Sequence, residues 1–407
     1  MADTVSPKMD KPNHRLRIAY LCVNDPLDKR SWSGITYYLG QSLQRNVGDV
    51  DFLGPVEPSP TVAKMLRAIA KFIRIFFKKE YDVKHSLLAS FYYAGALKKK
   101  MKGRSYDCIV APAASTELAF FKTTLPLIYV TDATFKLISE FYKWDFENIP
   151  GLSKWEGNYV EKKALQNCSR VILSSDWAAQ SAMKHYHVPA HKIHVMPLGA
   201  NIDFVPAAST IFDKLQNETI TLLYLAVEWE RKGGSIAFDT LEAMHEAGIK
   251  AKLIVCGCIP PPQFQHASME VIPFLNKNKK EDHDRFVQIL SAVHFLLLPT
   301  RADCSLLVAC EANSYGVPAI STNVGGVNDV VVDGVNGYCL PLAAASGDYA
   351  KLIKEIFDDV PRYHQLVQTS RRRFEERLNW DKWAEDFVLL FDDVVHNETQ
   401  APHQIHI

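Results

Sequence analysis

The chain has 407 residues, 47% apolar and 23% charged, and its 46 Lys+Arg are matched by 46 Asp+Glu. That length favours two or three domains over one, and a net charge of zero argues against bulk nucleic-acid binding. No run approaches the roughly 18 apolar residues a membrane span needs.

Met1 to Arg15 is polar and contains Pro, with no apolar stretch of the kind a signal peptide carries, so a cytoplasmic protein is the expectation. Short apolar, β-branched runs then recur along the chain. In the first half they are Arg17–Val23, Val50–Leu53, Asp107–Ala111, Leu127–Thr131, Val171–Ser174 and Ile193–Met196. In the second half they are Ile220–Ala226, Lys252–Cys256, Glu270–Ile272, Val293–Leu298, Ala319–Thr322 and Gly337–Leu340. Runs without clean alternation suit strands buried on both faces, and their alternation with amphipathic stretches implies parallel βαβ units. The class is therefore α/β, with two Rossmann-like domains facing a cleft. The polar stretch Gly199–Asn217, with Pro206, is placed as the linker. Residues 1–205 form the first unit and 206–377 the second. From about Tyr363 the chain reads as helix, with Trp380, Trp383, Phe387 and Leu390 at spacings of three and four. Residues 378–407 are expected to return to the first domain.

Ligands sit at the carboxyl ends of strands in open parallel sheets, so the residues just after each run are the informative ones. In Leu297–Gly337, Asp303 and Glu311 are separated by seven residues. A helix starting near Ser305 would point the backbone N–H groups of Ser305, Leu306 and Leu307 at a diphosphate. Glu311, about two turns along, would reach ribose hydroxyls, and Gly325-Gly326 would let the backbone pass close to a ligand. In Leu222–Gly234 a strand is followed by Arg231 and Lys232, charges suited to a departing diphosphate. Ser31–Gly34 (SWSG) follows the first strand, and Asp132 ends the fourth.

These segments resemble the retaining glycosyltransferases of family 4, of the GT-B architecture. Glu311, Ala312, Gly316, Pro318, Gly325, Gly326 and Asp329 match that family's E-A-x-x-x-G-x-P core and G-G-x-x-E loop. Ser174–Ala178 and Val195–Asn201 look like its landmarks at the end of the first domain. The resemblance implies transfer of a sugar from a UDP- or GDP-sugar to a hydroxyl of a glycan, glycolipid or small molecule. It implies retention of configuration and neither metal nor cofactor. It gives Arg231, Lys232, Asp303 and Asp132 the catalytic roles. Donor binding falls to Glu311, Ser33, Gly34, Ser305, Leu306, Leu307, Gly325 and Gly326, with the acceptor on the first domain. The sequence departs from the pattern at Asp303, where the first Glu is usual, and at Ser305-Leu306, where Phe-Gly is. Val227 or Ala226 stands where an Arg is common, and Arg231 is the neighbour that would substitute. A catalytically inactive nucleotide-sugar-binding protein and a sugar-nucleotide epimerase of the same fold are the alternatives. A nicotinamide or flavin enzyme would show G-x-G-x-x-G after a strand, and none is present.

Other features carry less. Asp49-Val50-Asp51 reads as an edge strand with solvated carboxylates rather than a metal motif. The histidines at 185, 187, 191 and 194 suit a surface connection, and the eight cysteines suit free thiols. Phe135, Phe141, Tyr142, Trp144, Phe146 and Trp155 serve equally as acceptor platform or packing. Residues 61–79 predict a helix with Lys64, Arg67, Lys71, Arg74 and Lys78 in one stripe, and with Leu66, Ile69, Phe72, Ile73, Phe76 and Phe77 as its apolar face. Lys98, Lys99, Lys100, Lys102 and Arg104 add a second basic cluster. Two readings remain open: peripheral contact with an anionic membrane at its inner face, or packing of the aromatics on the first domain's sheet.

Overall fold

The computed structural model describes residues 15–208, 211 and 218–400, the side chains of 395–400 excepted. The expectations for Met1–His14 and for the middle of the linker lie outside them. Two parallel six-stranded sheets carry the chain. In the first, β1 (Leu16–Tyr20), β2 (Gly48–Phe52), β3 (Cys108–Pro112), β4 (Leu127–Thr131), β5 (Arg170–Leu173) and β6 (Ile193–Val195) follow the order β2-β1-β3-β4-β5-β6. In the second, β7 (Ile220–Leu225), β8 (Ala251–Cys256), β9 (Met269–Ile272), β10 (Phe295–Leu298), β11 (Ala319–Thr322) and β12 (Gly337–Leu340) follow β12-β11-β10-β7-β8-β9. Each of the twelve overlaps one of the apolar runs. Full burial explains the lack of alternation: every residue of β3, β4, β10 and β11 is buried.

The helices of the first unit are α1 (Ile35–Asn46), α2 (Pro60–Phe77), α3 (Leu87–Met101), α4 (Ser115–Leu118), α5 (Phe135–Phe141), α6 (Lys143–Phe146), α7 (Gly151–Asn167) and α8 (Asp176–Tyr186). Those of the second are α9 (Gly234–Glu246), α10 (Lys280–Ala292), α11 (Leu307–Ser314), α12 (Val327–Val330), α13 (Ser346–Asp358) and α14 (Val360–Glu376), and α15 (Trp380–Gln400) follows. One core fills the second unit, and two more cover the two faces of the first sheet. The last of these includes Trp380, Trp383, Phe387 and Phe391, so α15 does return to the first domain. It packs beside α1, where Ser42 Oγ donates to the Trp380 carbonyl at 2.7 Å, and Arg170 pairs with Asp393 at 2.9 Å.

β2 is an edge strand of its sheet, and Asp49 and Asp51 pair with Arg15 and Arg104. α2 differs from one of the two readings offered for it. Only Leu66 and Ile73 are buried, against α3, whereas Phe72, Phe76 and Phe77 face outward. The aromatics therefore do not pack on the sheet.

Candidate active site

A cavity of about 370 Å³ opens between the two units. Its walls are the segments that leave the carboxyl ends of β1, β4, β7, β8, β9 and β10. From the first unit come Lys29, Trp32, Ser33, Asp132 and Tyr142, and from the second Arg231, Lys232, Lys277, Asp303, Ser305, Leu307 and Glu311. Eight of the twelve residues singled out from sequence thus share one cavity.

The first-unit wall is a tight loop. Trp32, Ser33 and Gly34 take left-handed backbone with φ of 46°, 56° and 91°, a conformation two non-glycine residues hold only when their surroundings impose it. Asn201 supplies the restraint. Its Nδ2 donates to the Ser33 carbonyl at 2.8 Å, and its Oδ1 accepts from Trp380 Nε1 at 2.8 Å. Gly34 lies behind the wall, where a Cβ would meet the Lys29 carbonyl at 3.1 Å.

Asp132 stands at the end of β4. Burial, and then the charge of Asp303, push its carboxyl up to about 6, against hydrogen bonds from its own backbone N–H and from Trp32. On the facing wall Lys232 Nζ pairs with Asp303, both side chains almost buried. Arg231 is held by Glu228 Oε2 at 2.9 Å and the Ala302 carbonyl at 3.1 Å, with its guanidinium 5.1 Å from the Tyr142 ring centre. That hydrogen bond to Arg231 holds the Glu228 carboxyl below its ordinary range. Tyr142 Oη lies 3.1 Å from Cys304 Sγ, which ties α5 to the Asp303 loop across the cleft.

Lys277 is a residue the sequence reading did not identify. Its Nζ donates to Glu311 Oε1 at 2.7 Å and to the Asn201 carbonyl at 3.1 Å. Burial raises the Glu311 carboxyl while Lys277 opposes that rise. Asn201, Lys277 and Glu311 therefore join the first-unit loop, the C-terminal helix and the second-unit helix α11 in one network.

Three expectations need correction. α11 begins at Leu307, two residues later than expected, and the Leu307 N–H donates to the Ser305 carbonyl at 2.9 Å. That N–H is therefore not free for a ligand, although the residue lines the cavity. Leu306 is fully buried in the second core and does not line the cavity at all. Gly325 and Gly326 do not line the cavity, and the side on which each would carry a Cβ meets protein: that atom on Gly325 would sit 2.1 Å from the Asp303 carbonyl, and on Gly326 2.1 Å from that of Cys304. Their lack of a side chain brings the loop before α12 against the Asp303 loop. Just beyond, Asp329 Oδ1 accepts the Asp176 N–H at 3.1 Å, which joins the two units again. The Ser305 hydroxyl is different. It is buried, lines the cavity and has no partner among the described residues, so a hydrogen-bonding ligand is what would satisfy it.

Two family models match most of the chain between them. One, described as Glycosyltransferase Family 4, covers residues 35–204, and the other, Glycosyl transferases group 1, covers 219–359. The chain belongs to this glycosyltransferase family. A D-inositol 3-phosphate glycosyltransferase of Corynebacterium aurimucosum is 22% identical over 262 residues, which are 60% of this chain and 61% of that protein. The spore coat protein SA of Bacillus subtilis is 28% identical over 28% of this chain and 33% of its own length. The matched part thus spans about three fifths or less of these curated relatives. Among solved structures, a sucrose-phosphate synthase from Thermosynechococcus elongatus superposes with a TM-score of 0.65 at 17% identity, covering 94% of this chain and 100% of its own. The Anabaena protein HepE, solved with UDP and glucose, gives 0.62 at 15%, covering 93% and 100%. At such identity these likenesses speak for the GT-B fold. In this chain the two family matches divide between the sheets, and the cavity lies where they meet.

Among the described residues no three His, Cys, Asp or Glu side chains converge as a metal site would require. No helix there is long and apolar enough to cross a membrane.

Proposed function

We propose that the protein moves a sugar from a nucleoside-diphosphate sugar, with UDP or GDP as the nucleotide, to an acceptor hydroxyl with retention of configuration. The observation that carries this reading is one cavity holding two lysine–carboxylate pairs, Arg231 and the unpartnered Ser305 hydroxyl at the carboxyl ends of both sheets. HepE's solved complexes with UDP and with UDP-glucose support a nucleotide-sugar donor. In this reading the unit of residues 206–377 holds the donor. Glu311 accepts from the ribose hydroxyls, once Lys277 swings from its carboxylate or shares it. Ser305 donates to a phosphate, and Arg231 and Lys232 face the diphosphate as its charge grows. The bond from sugar to diphosphate breaks, the acceptor oxygen bonds to the same face, and its proton passes to a donor phosphate oxygen. No metal is required, since the cationic side chains carry the leaving charge. The unit of residues 1–205 presents the acceptor, and Asp132 faces the reacting sugar. Residues 61–79 contact the inner face of a membrane.

Mass spectrometry after incubation with a panel of UDP- and GDP-sugars, with and without chelator, tests this reading, and NMR of the product anomer tests retention. A protein that binds nucleotide but neither hydrolyses nor transfers any donor would be the inactive relative instead. Glu311→Gln is expected to weaken nucleoside-diphosphate binding by roughly tenfold to a hundredfold, because a charged acceptor is worth about 1.5–3 kcal/mol. Calorimetry showing wild-type affinity would remove Glu311 from the ribose. If the Asp132 carboxylate must be charged, kcat/KM will fall as pH drops through about 6, where its proton returns. Asp132→Asn should then abolish that acid limb at a lower plateau rate.

A further inference from the structure

α2 is amphipathic in an unusual sense, having three faces rather than two. Leu66 and Ile73 turn inward. Met65, Phe72, Ile75 and Phe76 are exposed on a second stripe, with Phe72 53%, Phe76 68% and Phe77 63% exposed. Lys64, Arg67, Lys71, Arg74 and Lys78 recur at three- and four-residue spacings, so they lie along a third stripe, all exposed. Among the described residues none of the five forms an ion pair, and the helix contains no Asp or Glu. Exposed phenylalanines clustered beside unpaired cations do not serve solubility.

The chain then leads from this helix to the cleft. Lys79 Nζ donates to the Glu147 carbonyl at 3.3 Å, the Glu80 N–H to that of Asn148 at 2.9 Å, and Tyr81 Oη to Glu156 at 2.7 Å. These bonds set the end of α2 beside α6 and the start of α7. There Trp144, Leu152 and Trp155 are exposed, at 48%, 59% and 55%. Two residues before Trp144 stands Tyr142, already in the cavity wall. Exposed apolar side chains therefore recur from α2, past the turn between α6 and α7, towards Tyr142 at the cleft. The carboxylates at this junction, Glu80, Asp145, Glu147 and Glu156, are outnumbered by the five cations of the α2 stripe together with Lys79 and Lys143.

We infer that α2 and this rim seat together on a bilayer containing anionic phospholipid, so that the cleft opens onto lipid headgroups. The phenylalanines and tryptophans enter the headgroup boundary, and the cation stripe meets the lipid phosphates. An acidic protein partner would satisfy the cations but would not explain apolar side chains on two separate elements beside the cleft. The inference rests on the proposed function only in treating the cleft as the reaction site, and it deepens that reading by fixing the side from which an acceptor arrives.

The full chain is sedimented at low salt with vesicles of phosphatidylglycerol and phosphatidylcholine, and with phosphatidylcholine alone. Pelleting with the first and not the second is expected. Each basic residue near such a surface adds about fivefold to partitioning, so Lys71→Glu/Arg74→Glu should release the protein by more than about twentyfold. Phe72→Ser/Phe76→Ser should release it too. Both variants alter exposed residues, and both should bind UDP or GDP in solution as wild type does. Brominated phosphatidylglycerol should quench tryptophan emission in wild type and much less in Trp144→Phe/Trp155→Phe. Wild-type protein left in the supernatant overturns the inference, as does binding that ignores lipid charge or the α2 variants. Quenching unchanged in the tryptophan variant overturns the placement of the rim. Vesicle binding is read without donor and nucleotide binding without vesicles, so failure here leaves the enzyme reading to its own test.

Discussion

Lys232→Met is expected to lower turnover about a hundredfold or more while changing nucleoside affinity little. The lysine faces the place where the leaving diphosphate gains charge, and removal of one such preorganised donor typically costs about 3 kcal/mol of transition-state stabilisation. The structure adds a second consequence. Lys232 is the partner of Asp303, whose side chain is only 6% exposed, so the variant leaves a buried carboxylate without its counter-charge. Breaking such a pair from one side costs about 3–5 kcal/mol of stability. The double variant Lys232→Met/Asp303→Asn separates the two effects, because it removes the stranded charge. It should recover much of the thermal midpoint and none of the turnover. Recovery of both would make the lysine a neutraliser of Asp303 alone. Arg231→Ala should follow the same pattern in rate with a smaller loss of stability, since Glu228 is 48% exposed and water can take over its solvation.

How much of this was legible before folding depends on how local each feature is. The strands were, because a parallel strand covered on both faces must be an apolar run between polar turns. Their ends were less so. Val293 and His294 are buried and yet precede β10, since Val293 caps the end of α10 and His294 Nδ1 accepts the Thr221 N–H at 2.9 Å. The Asp303–Glu311 segment was legible because its spacing is set within one loop and one short helix. Lys277 was not. It sits in Asn276–Lys280, a polar run that reads as solvated, and its carboxylate partner lies 34 residues away. Asn201 was quoted only as part of a landmark, and nothing in its neighbours announces a bond to Trp380. The pair Gly325-Gly326 shows the limit from the other side: two glycines announce a close approach without saying what approaches. For α2 the periodicity established an amphipathic helix, but only its packing against α3 decides which apolar stripe is covered.

Raising the pH from about 5 to about 8 is expected to destabilise the first unit, and two glutamates that take no part in the proposed chemistry are the cause. Glu117 on α4 and Glu161 on α7 are almost completely buried, and each leaves one carboxyl oxygen without a hydrogen-bond partner. Burial pushes both up to about 7 from an ordinary 4.5, with His85 pulling each back, as does a Ser115 hydrogen bond at Glu161. Below pH 4.5 both groups hold their protons whether the chain is folded or not, so folding is not penalised. Between 4.5 and 7 the unfolded chain releases protons that the folded chain keeps, and stability falls as pH rises through that window. Above it the loss is complete, on the order of 3 kcal/mol per carboxyl. Glutamine cannot ionise, so Glu117→Gln/Glu161→Gln should be more stable than wild type near pH 8 and no more stable near pH 5, where the wild-type carboxyls are neutral. Urea titrations at the two pH values measure the difference directly. Parallel changes in wild type and variant would place the pH sensitivity elsewhere, and a variant weaker at both would mean that the amide cannot occupy the site of a protonated carboxyl.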